Sequence, residues 1–194
     1  MRIVGGSLSG RRFSGPPGDL TRPTSERVRE AIASAIESRG GFEGARVLDL
    51  FAGTGAMAFE ALSRGAARAV LVERDPKVAR AIGKSAAELG LTARCIVITG
   101  DLGQPATRAR IERAAAGETF DRVFVDPPYA DVAEIAGLLG ALAPLIAGDA
   151  LLAVEHATRH APAAIEGYDV LSHPRYGDTA VLLLTPSPSS EALA

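Results

Sequence analysis

The sequence predicts an α/β fold, a mostly parallel sheet with helices on both faces, closed by an antiparallel strand pair. Two observations carry that expectation. Short runs rich in Val, Ile and Leu alternate with amphipathic stretches of helical length. Such alternation implies right-handed crossovers and strands covered on both sides. The stretch "YDVLSHPRYGDTAVLLLT" (168–185) then breaks the pattern, because two strand-like runs meet through a Pro/Gly turn with no helix between them.

Each element has its own local signal. Residues 1–24 hold Gly5-Gly6, Gly10 and Pro16-Pro17, and read as a hairpin followed by a loop. "PTSERVREAIASAIESRG" (23–40) is a helix capped by Thr24 or Ser25, with Arg29 and Glu30 expected on its exposed side. "ARVLDLF" (45–51) is the first buried strand and "GAMAFEALSRG" (55–65) a helix with Met57, Ala61 and Leu62 on one side. "RAVLVE" (68–73) is the second strand. "PKVARAIGKSAAELG" (76–90) is a helix with proline at its start and glycine after its end, and Asp75 is placed to cap it. "RCIVITG" (94–100) is the third strand, 105–116 a helix, and "FDRVFVD" (120–126) the fourth strand. A helix over 132–146 and a fifth strand over 150–156 precede the closing pair, which makes seven strands. The tail 186–194 is small and polar and is expected to be disordered. The division is thus a basic segment over 1–24, a main domain over 25–185 and the tail.

Composition narrows the class. The chain has 194 residues, 47% of them apolar, enough for one domain with a sizeable core. No run approaches the roughly 18 apolar residues of a membrane span, and "MRIVGGSLSGRRF" lacks the apolar stretch of a signal peptide. A cytoplasmic, monomeric protein is the expectation. The one cysteine, Cys95, excludes an internal disulfide and reads as an inert core residue. His156 and His160 lie four apart, but no third ligand is evident, so no metal is expected. The net charge of −2 hides an asymmetry: residues 1–29 hold six arginines against two acids. A basic head on an acidic body suits a polyanion met at one end.

Four motifs carry chemistry. In "DLFAGTGAMA" (49–58) a strand ends in a glycine-rich turn and a helix follows, a place where the backbone can approach a ligand and helix N–H groups are free. Gly53, Gly55 and Ala58 match the dinucleotide pattern G-x-G-x-x-A, but Asp49 before the turn would face a pyrophosphate unfavourably. A carboxylate there suits a cationic group, such as the amino group of S-adenosylmethionine. Glu73 ends the second strand, where an acid can accept both ribose hydroxyls of a nucleoside. Asp101, after the third strand, can take a hydrogen bond from an adenine amino group, and Leu102 can pack on the purine. Finally, "DPPY" (Asp126, Pro127, Pro128, Tyr129) ends the strand expected beside the first. An exocyclic base amine needs acceptors for its protons as a methyl group arrives. Asp126 and the carbonyl of Pro127 can be those acceptors, the prolines fix their direction, and Tyr129 can stack on an extruded base.

With these residues the chain resembles the class I S-adenosylmethionine-dependent methyltransferases, and within them the RsmD family, which methylates guanine N2 in 16S rRNA. The resemblance covers about residues 1–185. It rests on "MRIVGG", "GRR" (10–12), "RPTSERVRE" (22–30), "DLFAGTGA" (49–56), "EALSRGA" (60–66), "VERD" (72–75), "VDPPY" (125–129) and "YGDT" (176–179). It implies a Rossmann-like class I methyltransferase fold with an N-terminal β-hairpin extension. It implies cofactor contacts from Asp49, Phe51, Gly53, Gly55, Glu73, Arg74, Asp101 and Leu102, and catalysis at Asp126, Pro127, Pro128 and Tyr129. It also implies that Arg2, Arg11, Arg12, Arg22, Arg27 and Arg29 face RNA, in the small subunit or an assembly intermediate. Two departures stand out: Ala58 where the family more often has glycine, and Pro105 soon after Asp101. Competing readings are an adenine-N6 DNA methyltransferase, a protein glutamine methyltransferase, a non-catalytic RNA-binding module and, least favoured, a dinucleotide oxidoreductase.

Overall fold

The computed structural model describes residues 1–16, 25–127, 132–158 and 165–188. After an N-terminal hairpin the chain runs through α1 (Glu26–Glu37), β1 (Arg46–Asp49), α2 (Ala56–Ser63), β2 (Arg68–Glu73), α3 (Pro76–Leu89), β3 (Cys95–Thr99), α4 (Pro105–Ala115), β4 (Phe120–Val125), α5 (Val132–Leu142), β5 (Ile146–Ala157), β6 (Tyr168–Ser172), β7 (Arg175–Tyr176) and β8 (Thr179–Pro186). The sheet order is β3-β2-β1-β4-β5-β8-β6, with β7 also paired to β8. Strands β1 to β5 are parallel, and β8 runs antiparallel to β5, β6 and β7.

The helix starts follow their local chemistry. Ser25 caps α1 by accepting the Val28 N–H, and Asp75 caps α3 by accepting the N–H groups of Lys77 and Val78 ahead of Pro76. Two apolar layers fill the faces of the sheet. One joins Val47, Leu71, Phe124, Ala153 and Leu183 to α1, α2 and α3. The other joins Leu48, Val70, Val123, Val125 and Leu152 to Ile111 of α4 and to Ile135 and Leu139 of α5. Among the described residues no helix is long and apolar enough to cross a membrane.

The N-terminal hairpin is built into this core. Arg2 and Arg12 form an antiparallel bridge, with Ile3 N–H bonded to the Arg11 carbonyl at 2.9 Å. Ile3 and Phe13 are buried, and Phe13 meets Phe59 of α2 edge-to-face with ring centroids 5.3 Å apart. Each such burial contributes about 1.5–3 kcal/mol. The polar side of the contact is as specific. Glu60, wholly buried, accepts the N–H groups of Val4 at 2.9 Å and Gly5 at 2.7 Å. Ser63 donates to the Gly5 carbonyl and accepts from Leu8 N–H. Arg64 holds Glu60 at 2.9 Å and reaches Glu30 and Glu37 of α1 at 2.7 Å. Gly6 has φ +75°, and a Cβ there would lie 2.0 Å from the Ser63 carbonyl oxygen. The stretches "IVGG" and "EALSR" are therefore the two halves of one docking surface.

Four expectations are corrected. Arg29 is buried at 2% exposure, because the hairpin covers that side of α1 and takes its guanidinium to the Arg2 carbonyl at 2.8 Å. Helix α2 is buried nearly all round, Glu60 and Ser63 included, for the same reason. The sheet has eight strands, since Pro174, with no N–H to give, separates β6 from the two-residue β7. The fold also continues past residue 185: Pro186 ends β8, and Ser187 bonds to the Gly167 carbonyl and to Asp169.

Candidate active site

The carboxyl ends of β1, β4 and β5 bring acidic side chains to one cleft, and the end of β2 sets another beside the turn that lines it. Asp49 ends β1 and Glu73 ends β2, while Asp126 follows the last residue of β4. The cleft is lined by Asp49, Phe51, Gly53, Phe124 and Asp126, with Ile32 of α1 closing one side.

The turn after β1 is held open by its glycines. Gly53 and Gly55 have φ of +51° and +76°, and a Cβ on Gly55 would meet the Phe59 ring at 2.9 Å. Gly55 thereby starts α2 with no side chain over its first N–H groups. Glu73 fixes the turn from the side: its carboxylate accepts the Gly53 N–H at 3.0 Å and the Asp75 N–H at 2.8 Å. Ala52 N–H bonds the Val72 carbonyl, so the loop runs beside the end of β2.

Asp49 is almost wholly buried. Burial pushes its carboxyl up to about 7, and the charges of Asp126 and Glu73 push the same way against backbone N–H bonds from Ala58 and Phe51. A buried carboxylate flanked by two more is an unfavourable charge state that a cation relieves. The donor set therefore fits a ligand with an ammonium or sulfonium group, and opposes a pyrophosphate.

Asp101 is half-buried and accepts the Gly103 N–H at 2.8 Å. Leu102 packs mainly into the apolar layer near Ile98 and Ile111. Arg74 is exposed and Phe51 half-buried at the cleft. Asp126 is exposed and Pro127 half-buried, whereas Pro128, Tyr129 and Arg22 lie outside the described residues. Cys95 is half-buried, and burial pushes its thiol up to about 12, far from a reactive thiolate. His156 contacts His173 at 2.7 Å, and among the described residues no group of three or more His, Cys, Asp and Glu could hold a metal ion.

The basic head divides. Arg11 caps the end of α3 by donating to the carbonyls of Glu88 at 2.8 Å and Leu89 at 3.3 Å. Arg2 pairs with Glu26 at 2.7 Å, and Arg29 is buried beneath it. Arg12 and Arg27 are exposed, and their side chains make no hydrogen bond or ion pair among the described residues.

One acidic cleft residue was missed from sequence. Glu155 of β5 lines the same cleft. Its signal was present, since "ALLAVEH" is a strand that neighbours β4 and Glu155 lies near its carboxyl end, where α/β sheets bind ligands.

A family model described as conserved hypothetical protein 95 matches residues 1–185. The chain belongs to this family, the RsmD type. Two curated relatives illustrate the likeness. The Bacillus subtilis protein named "Putative rRNA methyltransferase YlbH" is 41% identical over 130 residues, 66% of this chain and 67% of that protein. The Escherichia coli "Ribosomal RNA small subunit methyltransferase D" is 36% identical over 129 residues, 66% of this chain and 60% of that protein. Among solved structures, a protein described as "Putative methyltransferase yhhF from Escherichia coli" superposes with a TM-score of 0.78 at 30% identity, covering 96% of this chain and 98% of the other. The RsmD-type chain thus has a class I methyltransferase fold.

Proposed function

We propose that this protein transfers a methyl group from S-adenosylmethionine to the exocyclic N2 of a guanine in 16S rRNA. The observation that carries the reading is the placement of Asp49 and Asp126 in one cleft at the carboxyl ends of β1 and β4, with Glu73 at the end of β2 holding the glycine turn that lines it, in a family with relatives named as rRNA methyltransferases.

When bound, S-adenosylmethionine supplies a sulfonium methyl whose C–S bond breaks as the new C–N bond forms, its electron pair leaving on a neutral thioether. Asp49 takes the ammonium group, whose charge offsets the burial and the neighbouring carboxylates that raise its own carboxyl to about 7. Glu73 spends one lone pair of each oxygen on backbone N–H groups and keeps acceptor capacity for the ribose hydroxyls. The glycine turn lets the nucleoside approach the backbone. Asp126 and the Pro127 carbonyl accept the amine protons, so charge can build on N2 in the transition state. The departing proton leaves through Asp126 to water. Arg12 and Arg27 meet phosphates of the RNA, and the hairpin that carries Arg12 is held rigidly by Glu60. On this reading the enzyme works in the bacterial cytoplasm on RNA of the small ribosomal subunit.

The test is Asp126→Ala. It is expected to bind S-adenosylmethionine about as well as the wild type while turnover falls about 10²-fold or more. Unchanged turnover would contradict the role.

A further inference from the structure

We infer that Glu155 is a specificity residue that reads the N1–H of the target guanine, beside the N2 amine held by Asp126. The inference rests on the guanine-N2 reading above and deepens it.

Strands β4 and β5 are parallel, with Phe124 opposite Ala153 and Val125 opposite Val154. Continuing that register by one residue sets Asp126 beside Glu155. Register neighbours on parallel strands point to the same face, and the strands lie about 4.8 Å apart. Asp49 is in register with Phe124, so it shares that face. Asp49, Phe124, Asp126, Ala153 and Glu155 all border the one cleft. The cleft therefore offers two neighbouring carboxylates on its acceptor side, beyond the one that faces the cationic ligand.

Two adjacent acceptors match one base edge. Guanine presents N1–H and the N2 amine side by side, two donors in a row. Adenine and cytosine place a ring acceptor next to their exocyclic amine, and a second carboxylate there would repel it. A site whose polar groups match a donor rejects a base that lacks it, because the carboxylate then loses its partner after desolvation. Asp126 alone serves any exocyclic amine, whereas the Asp126–Glu155 pair selects guanine.

The test compares wild type with Glu155→Gln, an isosteric change that keeps the cleft filled. The wild-type enzyme first identifies the modified guanine in subunits that lack the modification. Reconstituted subunits then carry either guanine or 2-aminopurine at that position. 2-Aminopurine keeps the amine but has an acceptor at N1, to which the glutamine amide can donate. The ratio of kcat/KM for guanine over 2-aminopurine is expected to fall about 10-fold or more in Glu155→Gln, with S-adenosylmethionine affinity unchanged. An equal loss on both bases, or no change in the ratio, would overturn the role of Glu155 while leaving the guanine-N2 reaction in place. A wild-type enzyme that methylates no guanine overturns both.

Discussion

The Glu73 carboxylate accepts the backbone N–H of Gly53 at 3.0 Å, and so ties the end of β2 to the glycine turn that follows β1. Its other oxygen holds the Asp75 N–H at 2.8 Å, just before α3. One side chain thus positions both the glycine turn after β1 and the start of α3, the two loops that border the proposed nucleoside site. Glu73→Ala removes the proposed ribose acceptor and strands two N–H groups. We expect S-adenosylmethionine affinity to fall about 10- to 100-fold, and stability by about 1–3 kcal/mol. Calorimetric titration and denaturant unfolding measure the two effects separately.

Asp49 makes ligand binding sensitive to pH. Its folded-state carboxyl titrates at about 7 against an ordinary value of 3.8, raised first by burial and then by Asp126. A cation in the site favours the ionised form. Binding of S-adenosylmethionine should therefore release a proton near pH 6.5 and weaken as pH falls below about 7. Titrations in two buffers of different ionisation enthalpy detect that proton, and Asp49→Asn should abolish the release.

The same shift has a stability consequence of defined sign. A carboxyl whose folded value is raised contributes stability fully below about pH 4, and that contribution is lost as pH rises through about 7. Asp49→Asn has no such loss. Its stability relative to wild type should rise between pH 5 and pH 8 in thermal unfolding without ligand.

The hairpin dock predicts large effects from residues distant from the cleft. Glu60→Ala leaves the Val4 and Gly5 N–H groups and part of the Arg64 charge without their buried partner. A loss of about 3 kcal/mol is expected. Gly6→Val should cost more than 1 kcal/mol, because it forces a β-branched residue to φ +75° against the Ser63 carbonyl. Urea unfolding checks both.

Much of this was legible in the sequence because its causes are local. Asp75 followed by Pro76 announces the start of α3, and apolar runs ending in Asp49, Glu73 and Asp126 mark where parallel strands deliver carboxylates to one edge. What escaped depends on distant contacts. Arg29 sits on a helix that looks amphipathic, and only the hairpin folding back from residue 2 buries it. Glu60 reads as an ordinary surface acid of α2 until Val4 and Gly5 come to it. Glu155 is a single acid at a strand end, and its meaning comes from β4 lying alongside. The two residues of β7 are too few to carry a period.

The exposed arginines can be separated from the structural ones. Arg12→Ala combined with Arg27→Ala should weaken RNA binding and reduce the slope of log affinity against log salt by up to about 2, with unfolding unchanged. Arg11→Ala should instead destabilise the end of α3, where it holds the Glu88 and Leu89 carbonyls. Salt titrations of RNA binding, paired with melting curves, distinguish the two classes.

One labelling experiment tests the proposed reaction directly. The protein is incubated with tritiated S-adenosylmethionine and with small subunits or protein-free 16S rRNA from cells that lack it, and the RNA is digested to nucleosides. A guanine-N2 methyltransferase puts the label in N2-methylguanosine. Label in N6-methyladenosine, or in no nucleoside while S-adenosylmethionine still binds, would contradict it.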